Sequence, residues 1–452
     1  MLGLPLRFGR FPIPHVDPPT LRRRALFLAG GIVVGLLAIT MTTLANEAQA
    51  LFAGVDGRWP LTPLFLTPAG FALSTWLTRR FFDGAQGSGI PQVIAARHLE
   101  SAEDRDRLVS IRLAAAKIGL LLLGLLTGAS SGREGPTVQV GAATMAFLGR
   151  IEPHRQPGLL LAGSAAGIAA AFNAPLAGII FGIEEMSRSF EQRSSVLVLV
   201  TVIAAGLTAQ AILGDYTYFG VMTGGMPTGW QWLAVLVASL VGGLFGGLFS
   251  RFLVLLADGV PGRLGALIGR HPVLFAASCG LLVALCGLAA DGTVFGTGYA
   301  QAKAILDGEG MSWLFGPMKL VATALSSVSG IPGGIFSPSL AVGAGLAYDL
   351  NPLLPGVPIA MLAMLCMVAY LSGVVQAPLT SAVIVSEMTA DHSLILPIMI
   401  TALAATAVSR LVCPEGVYHA LARRMLDRQQ ASGATVAPPP ASPSATVPPA
   451  AP

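Results

Sequence analysis

Charged residues make up only 11% of this 452-residue chain, where a soluble globular domain carries about 25%. That shortage excludes an ordinary soluble protein. With 54% apolar residues and a mean hydropathy of +0.72, the chain reads as an all-α polytopic membrane protein whose helices face lipid or one another. The formal charge of +4 is small and gathers at Arg-rich ends, which argues against a nucleic-acid partner. Cysteine is scarce. Cys279, Cys286, Cys366 and Cys413 form no CxxC pair and three lie in apolar runs, so small core residues are expected rather than a metal site or a disulfide. No metal ligand set or cofactor is expected. The six histidines (His15, His98, His154, His271, His392 and His419) all fall in connections or at the edges of apolar runs. An intramembrane serine hydrolase built on Ser88, Ser130 or Ser131 needs a base within hydrogen-bond reach, and histidines confined to connections and run edges argue against it.

Glycine and proline are plentiful, with 54 and 32 residues. In a membrane chain they favour close helix packing and interrupted helices. Uncharged runs long enough to span a bilayer occupy 25–46, 59–78, 156–183, 194–214, 216–250, 272–290, 320–348, 350–386 and 393–409. Several are long enough for two helices or one broken one, as Gly224-Gly225-Met226-Pro227 and Asn351-Pro352 suggest. Arg22-Arg23-Arg24 ahead of 25–46, with Ala48-Gln49-Ala50 after it, has the outline of a signal peptide. The run is too long for one and is read as the first membrane helix. Arg7, Arg10 and Arg22–Arg24 then place the N-terminal segment, 1–24, in the cytoplasm. Arg423, Arg424 and Arg428 do the same for the C-terminus. From 429 to 452 the chain is Ala/Pro/Ser/Thr-rich and is expected to be a disordered tail.

The chain repeats itself weakly. Ala174-Pro175-Leu176 with Glu184 recurs 203 positions later as Ala377-Pro378-Leu379 with Glu387. Gly132 to Pro136 recurs 202 positions on as Gly334 to Pro338, and Gly87-Ser88-Gly89 is echoed 209 positions on by Gly296-Thr297-Gly298. These matches divide the membrane domain, 25–428, into halves near 25–220 and 230–425. Two-repeat transporters hold their substrate where the halves meet, on interrupted helices. Glu184 and Glu387 recur together, which predicts a shared structural role in capping or pairing.

Glu134 is the costliest residue in this plan. The stretches 118–132 and 136–148 around it carry no charge, and the nearest charges are Lys117 just before them and Arg133 beside it. A carboxylate at membrane depth costs roughly 2.5–3.5 kcal/mol on insertion scales and marks an ion or proton pathway. It belongs to one of three motifs of common design: Gly87-Ser88-Gly89-Ile90-Pro91, Gly132-Arg133-Glu134-Gly135-Pro136 and Gly334-Ile335-Phe336-Ser337-Pro338. In each, glycines allow unusual backbone angles and a proline is expected at the first helical position. Each therefore starts a helix whose unpaired N–H groups and positive dipole end can hold an anion. Ser88 can also cap the helix that follows it. Lys117 reads either as a snorkelling side chain or as a charge biasing the path. Arg133 reads either as a source of positive potential or as a structural ion pair.

These motifs, in this order, resemble the signature of the CLC family of chloride channels and chloride/proton antiporters. The resemblance continues through Ala171-Phe172-Asn173-Ala174-Pro175-Leu176, Ile183-Glu184-Glu185-Met186 and Gln376-Ala377-Pro378-Leu379-Thr380 to Val417-Tyr418-His419-Ala420, and covers about 25–428. It implies two inverted-topology repeats of tilted and broken helices, a homodimer in the lipid membrane, and chloride and protons as the transported species. It implies anion coordination by the Ser88 and Tyr418 hydroxyls and by the N–H groups of Ile335 and Phe336, with Glu134 as external gate. Glu185 matches the internal proton-transfer site of the antiporters, where channels usually have an apolar residue. Together Glu134 and Glu185 favour an antiporter over a passive chloride channel, and the Ser88/Tyr418 pair favours chloride over fluoride. After Pro91, Gln92, Val93 and Ile94 stand where relatives can have acidic residues, which leaves open how protons reach Glu185 from the cytoplasm. A bacterial inner membrane fits the compact chain.

Overall fold

The computed structural model describes residues 18–151, 156–187, 195–214, 217–222, 225–391 and 393–431. The expected N-terminal segment and C-terminal tail lie largely outside these, as do Gly224, His154 and His392. The first half comprises α1 (Pro18–Arg58), α2 (Pro63–Phe81), α3 (Ile90–Arg97), α4 (Ala102–Leu108), α5 (Ile111–Leu126), α6 (Glu134–Leu148), α7 (Gln156–Phe172), α8 (Pro175–Phe181) and α9 (Ser195–Leu213). The second comprises α10 (Trp232–Asp258), α11 (Gly262–Arg270), α12 (Pro272–Ala289), α13 (Tyr299–Leu306), α14 (Phe315–Val328), α15 (Phe336–Leu350), α16 (Ile359–Val375), α17 (Pro378–Thr389), α18 (Ile395–Val412) and α19 (Val417–Ala431). Among the described residues six helices are long and apolar enough to cross a membrane, and there is no β-strand, only two isolated bridges.

Several of the expected runs prove to be pairs of helices. The run 156–183 breaks at Asn173, which has φ +53°, and Pro175 opens α8. The run 350–386 breaks in the same way at Gln376, with φ +61°, before Pro378 opens α17. The first membrane helix is longer than its apolar stretch: α1 continues through Gln49 and Asp56 to Arg58. Its 41 residues span about 60 Å at about 1.5 Å each, twice the roughly 30 Å hydrocarbon core.

The halves are copies in length and in neighbours. α6 and α15 each have 15 residues, and α7 and α16 each have 17. α1 packs on α7 and α9 as α10 packs on α16 and α18. Where equivalent segments meet they run antiparallel. Gly132 and Gly334 exchange both backbone hydrogen bonds, at 2.8 and 2.7 Å, so the repeats have inverted topology. Lipid supplies no hydrophobic force between helices, so close backbone contact holds them. A Cβ on Gly141 of α6 would strike the Gly163 carbonyl of α7, and the converse holds too.

Glu184 and Glu387 have the shared role that their repetition predicts. The Glu184 carboxylate accepts the N–H groups of Leu379 and Thr380 at the start of α17 (3.1 and 2.6 Å). The Glu387 carboxylate accepts those of Leu176 and Ala177 at the start of α8 (3.0 and 2.6 Å). Each half thus caps a helix of the other.

Breaks in membrane helices leave backbone groups that the protein itself must satisfy, and this explains Lys117. It does not snorkel. It is fully buried, and its Nζ donates to the carbonyls of Ala85 (2.7 Å), Gln86 (3.3 Å) and Gly87 (2.7 Å). Lys319, its counterpart on α14, donates to Val294 and Gly296, both at 2.8 Å. Gln92 adds bonds to Gly84 and Gln86, and Gln139 to Gly84 and Leu108. The loop that carries Ser88 is therefore fixed from three sides.

Candidate functional site

All three motifs start helices, but their prolines lie deeper than the first position. Pro91 is second in α3, while Pro136 and Pro338 are third in α6 and α15. The first four N–H groups of a helix have no partner within it, so proline loses nothing at any of these sites. Gly89, in the left-handed region at φ +100°, caps α3 in place of Ser88. The Ser88 hydroxyl is left free for other work.

Four helix starts meet at one point. Gly87 bridges to Pro332 and Gly132 to Gly334, which ties the segments ahead of α3, α6 and α15 together. Ser131 adds a backbone bond to Gly296 (3.2 Å), and the Ser130 hydroxyl meets that of Thr323 at 2.9 Å. Gly135 lies flat against Ser88, so closely that a Cβ there would strike Oγ. Tyr418, second residue of α19, brings a fourth helix start beneath α15. Its ring stacks on Phe336 with centroids 5.9 Å apart, and Phe172 and Phe181 meet Phe336 edge-on at 6.2 and 6.1 Å. The sequence motifs do not signal this aromatic stack.

Glu134 is completely buried. One carboxylate oxygen accepts the Ser337 hydroxyl at 2.5 Å and the other accepts the Ser337 N–H at 3.4 Å. A carboxylate of the first half therefore sits on the start of a helix of the second. The N–H groups of Ile335 and Phe336 have no acceptor among the described residues. Ser337 was not singled out in the sequence, although its place two residues past Ile335 in a helix-start motif was a usable signal. Arg133, also buried, donates to the Thr42 carbonyl (3.1 Å) and to Asn46 Oδ1 (2.5 Å) on α1. Its Nε comes only within 4.0 Å of Glu134, so anchorage to α1 fixes it first.

Beside Glu134, the Ser88 and Tyr418 hydroxyls are both buried, and among the described residues neither has a partner at full hydrogen-bond geometry. The two hydroxyls lie close enough to interact with each other, and Glu185 and Glu134 act on the Tyr418 hydroxyl through space. A buried polar group without a partner costs about 1–3 kcal/mol. Two such hydroxyls beside unpaired helix N–H groups form a cradle for a small anion with no full cation in it. A cavity of about 480 Å³, lined by Gly87, Ser88, Ile335, Tyr418 and Arg428 among others, leads to it.

Glu185 lies on a single π-helical turn, Gly182–Ser187, that continues α8. Its neighbour Glu184 turns away to cap α17, while Glu185 is buried. His419 Nδ1 stands 3.1 Å from Glu185 Oε1, although the approach is not aligned as a hydrogen bond and Oε1 has no other partner. A second cavity, of about 700 Å³, is lined by both residues. Position at the edge of an apolar run gave no hint that His419 faces Glu185.

A bundle of interrupted helices in inverted halves, with unpaired donors converging at the break, defines a membrane transport protein of the broken-helix type. The family described as voltage gated chloride channel matches residues 70–410, and the chain belongs to this family. It is 33% identical over 448 residues to the H(+)/Cl(-) exchange transporter ClcA of Yersinia pseudotuberculosis serotype IB, covering 90% of this chain and 88% of that one. Its fold is similar to that of a slow cyanobacterial Cl-/H+ antiporter (TM-score 0.75, 24% identity, 90% of this chain and 99% of that one). It is also similar to that of a CLC-type fluoride/proton antiporter (TM-score 0.74, 23% identity, with the same coverage).

Proposed function

We propose that this protein exchanges chloride for protons across a membrane, with Glu134 as the gate and Glu185 as the proton-transfer carboxylate on the α19 side. The observation that carries the reading is the seat of Glu134 on the start of α15. That seat is an anion position, and the carboxylate holds it beside the vacant donors of Ser88, Ile335, Phe336 and Tyr418. An ionised Glu134 competes with chloride for these donors. Protonation removes its attraction and frees the position. One carboxylate thereby links chloride occupancy to proton binding, and Glu185 supplies the second proton station. The exchange named for the Yersinia relative supports the same reaction. Ser88 and Tyr418 offer hydroxyl donors suited to chloride.

The same reading places the Arg-rich α19 end in the cytoplasm, by the bias of Lys and Arg toward that side. It also takes the working unit to be a homodimer in a bacterial inner membrane. Flux in proteoliposomes tests the function. A chloride gradient drives protons uphill if the proposal holds. Chloride movement with no proton movement makes the protein a passive channel instead.

A further inference from the structure

Consecutive residues of α19 serve two separate cavities. Tyr418 lines the one that reaches Ser88, and His419 lines the one that reaches Glu185. The second is strongly polar in its residues. Glu184 and Glu185 enter it from the π-helical turn, Arg410 from α18, Glu415 from the link after α18, and Arg423 from α19 itself. Of the outer charges, Arg423 pairs with Glu415 at 2.5 Å and Glu184 caps α17, which leaves Arg410 as a further cation of the lining. α3, α10 and α16 also pack on α19 but bring no charged side chain to this cavity; Asp258 of α10 pairs with Arg424 instead. Among the described residues the inner carboxylate, Glu185, is paired with the His419 imidazole, at 3.1 Å.

We propose that His419 is the relay through which protons pass between this cavity and Glu185. The proposal rests on the reading of Glu185 as a proton-transfer site. With Nδ1 against Glu185, water in the cavity delivers a proton to Nε2, forming imidazolium. The Nδ1 proton then passes to Glu185 Oε1. The products are a neutral imidazole and a carboxylic acid, with one proton taken up and one handed on. Release toward the cavity reverses both steps. The distance is within the reach of proton transfer, and imidazole changes charge in the physiological range as no other unperturbed side chain does. This supplies the route that the absence of acidic residues directly after Pro91 left open.

Coupled flux of His419→Asn and His419→Gln in proteoliposomes, measured as pH is stepped across the range where imidazole titrates, tests the relay. Wild type is expected to show a pH step in exchange rate that both variants lack, and both should exchange slower by an order of magnitude or more. Wild-type rate and profile in either variant, or slow exchange with the wild-type pH profile, overturns the relay. Chloride flux in the Glu134→Ala background reports whether the variants fold. If Glu185→Gln keeps full proton coupling, the underlying reading fails. If Glu185→Gln uncouples while the His419 variants are silent, only the relay fails. Infrared difference spectra of the wild-type chain need no variant: Glu185 protonation should perturb an imidazole band in the same step, and a carboxyl signal without one overturns the proposal.

Discussion

Glu134 of α6 holds Ser337 of α15 by both its hydroxyl and its N–H, at 2.5 and 3.4 Å. The proposed gate in one half is thus bound to the helix start of the other. Hydrogen bonds to charged groups contribute about 1.5–3 kcal/mol. Ser337→Ala removes one of the two and weakens the carboxylate's hold on that position. Chloride should then compete better, with an apparent affinity about tenfold higher, since about 1.4 kcal/mol is a factor of ten. Calorimetric titration with chloride checks this, and unchanged or weaker binding contradicts it.

Gly135→Ala acts on the opposite wall. The added methyl meets Ser88 Oγ and the Ser88 carbonyl oxygen and must push Ser88, hydroxyl and backbone together, out of the cradle. The protein should remain folded while its chloride affinity falls severalfold. Native-like thermal unfolding together with wild-type chloride binding would show that Ser88 does not hold the anion.

Glu387 and Glu185 are predicted to separate cleanly, although both are glutamates at helix ends. Glu387→Gln weakens the cap on α8, a change worth about 0.5–2 kcal/mol. It should lower the thermal midpoint in detergent by a few degrees and leave the ratio of chloride to proton flux unchanged. Glu185→Gln should do the reverse, with near-normal unfolding and lost proton coupling.

Lys117→Met leaves the carbonyls of Ala85, Gln86 and Gly87 without their shared donor. Each buried carbonyl left without a donor costs about 1–3 kcal/mol. The variant should unfold at much lower temperature or fail to elute as a single species in size-exclusion chromatography. A variant as stable as wild type would mean that these carbonyls find other partners.

The parts of this structure that depend on local chemistry were readable in the sequence. Glycine and proline marked the helix starts at α3, α6 and α15, and the repetition of Glu184 as Glu387 announced a shared role. The run boundaries were less readable, because Asn173 and Gln376 break helices through a left-handed residue inside an otherwise apolar stretch. The rest depends on long-range placement. Lys117 meets a loop some 30 positions upstream, Phe336 stacks on Tyr418, and His419 faces Glu185 from the far end of the chain. No local pattern encodes those meetings, so Lys117 read as a snorkelling side chain or a charge biasing the path and His419 as a run-edge residue.

The charge of Glu134 is proposed to couple the two ions. Simultaneous chloride and proton flux through Glu134→Ala in proteoliposomes is the decisive measurement. Sustained chloride flux with no proton movement is expected under any chloride gradient. Uphill proton movement persisting in that variant would contradict it.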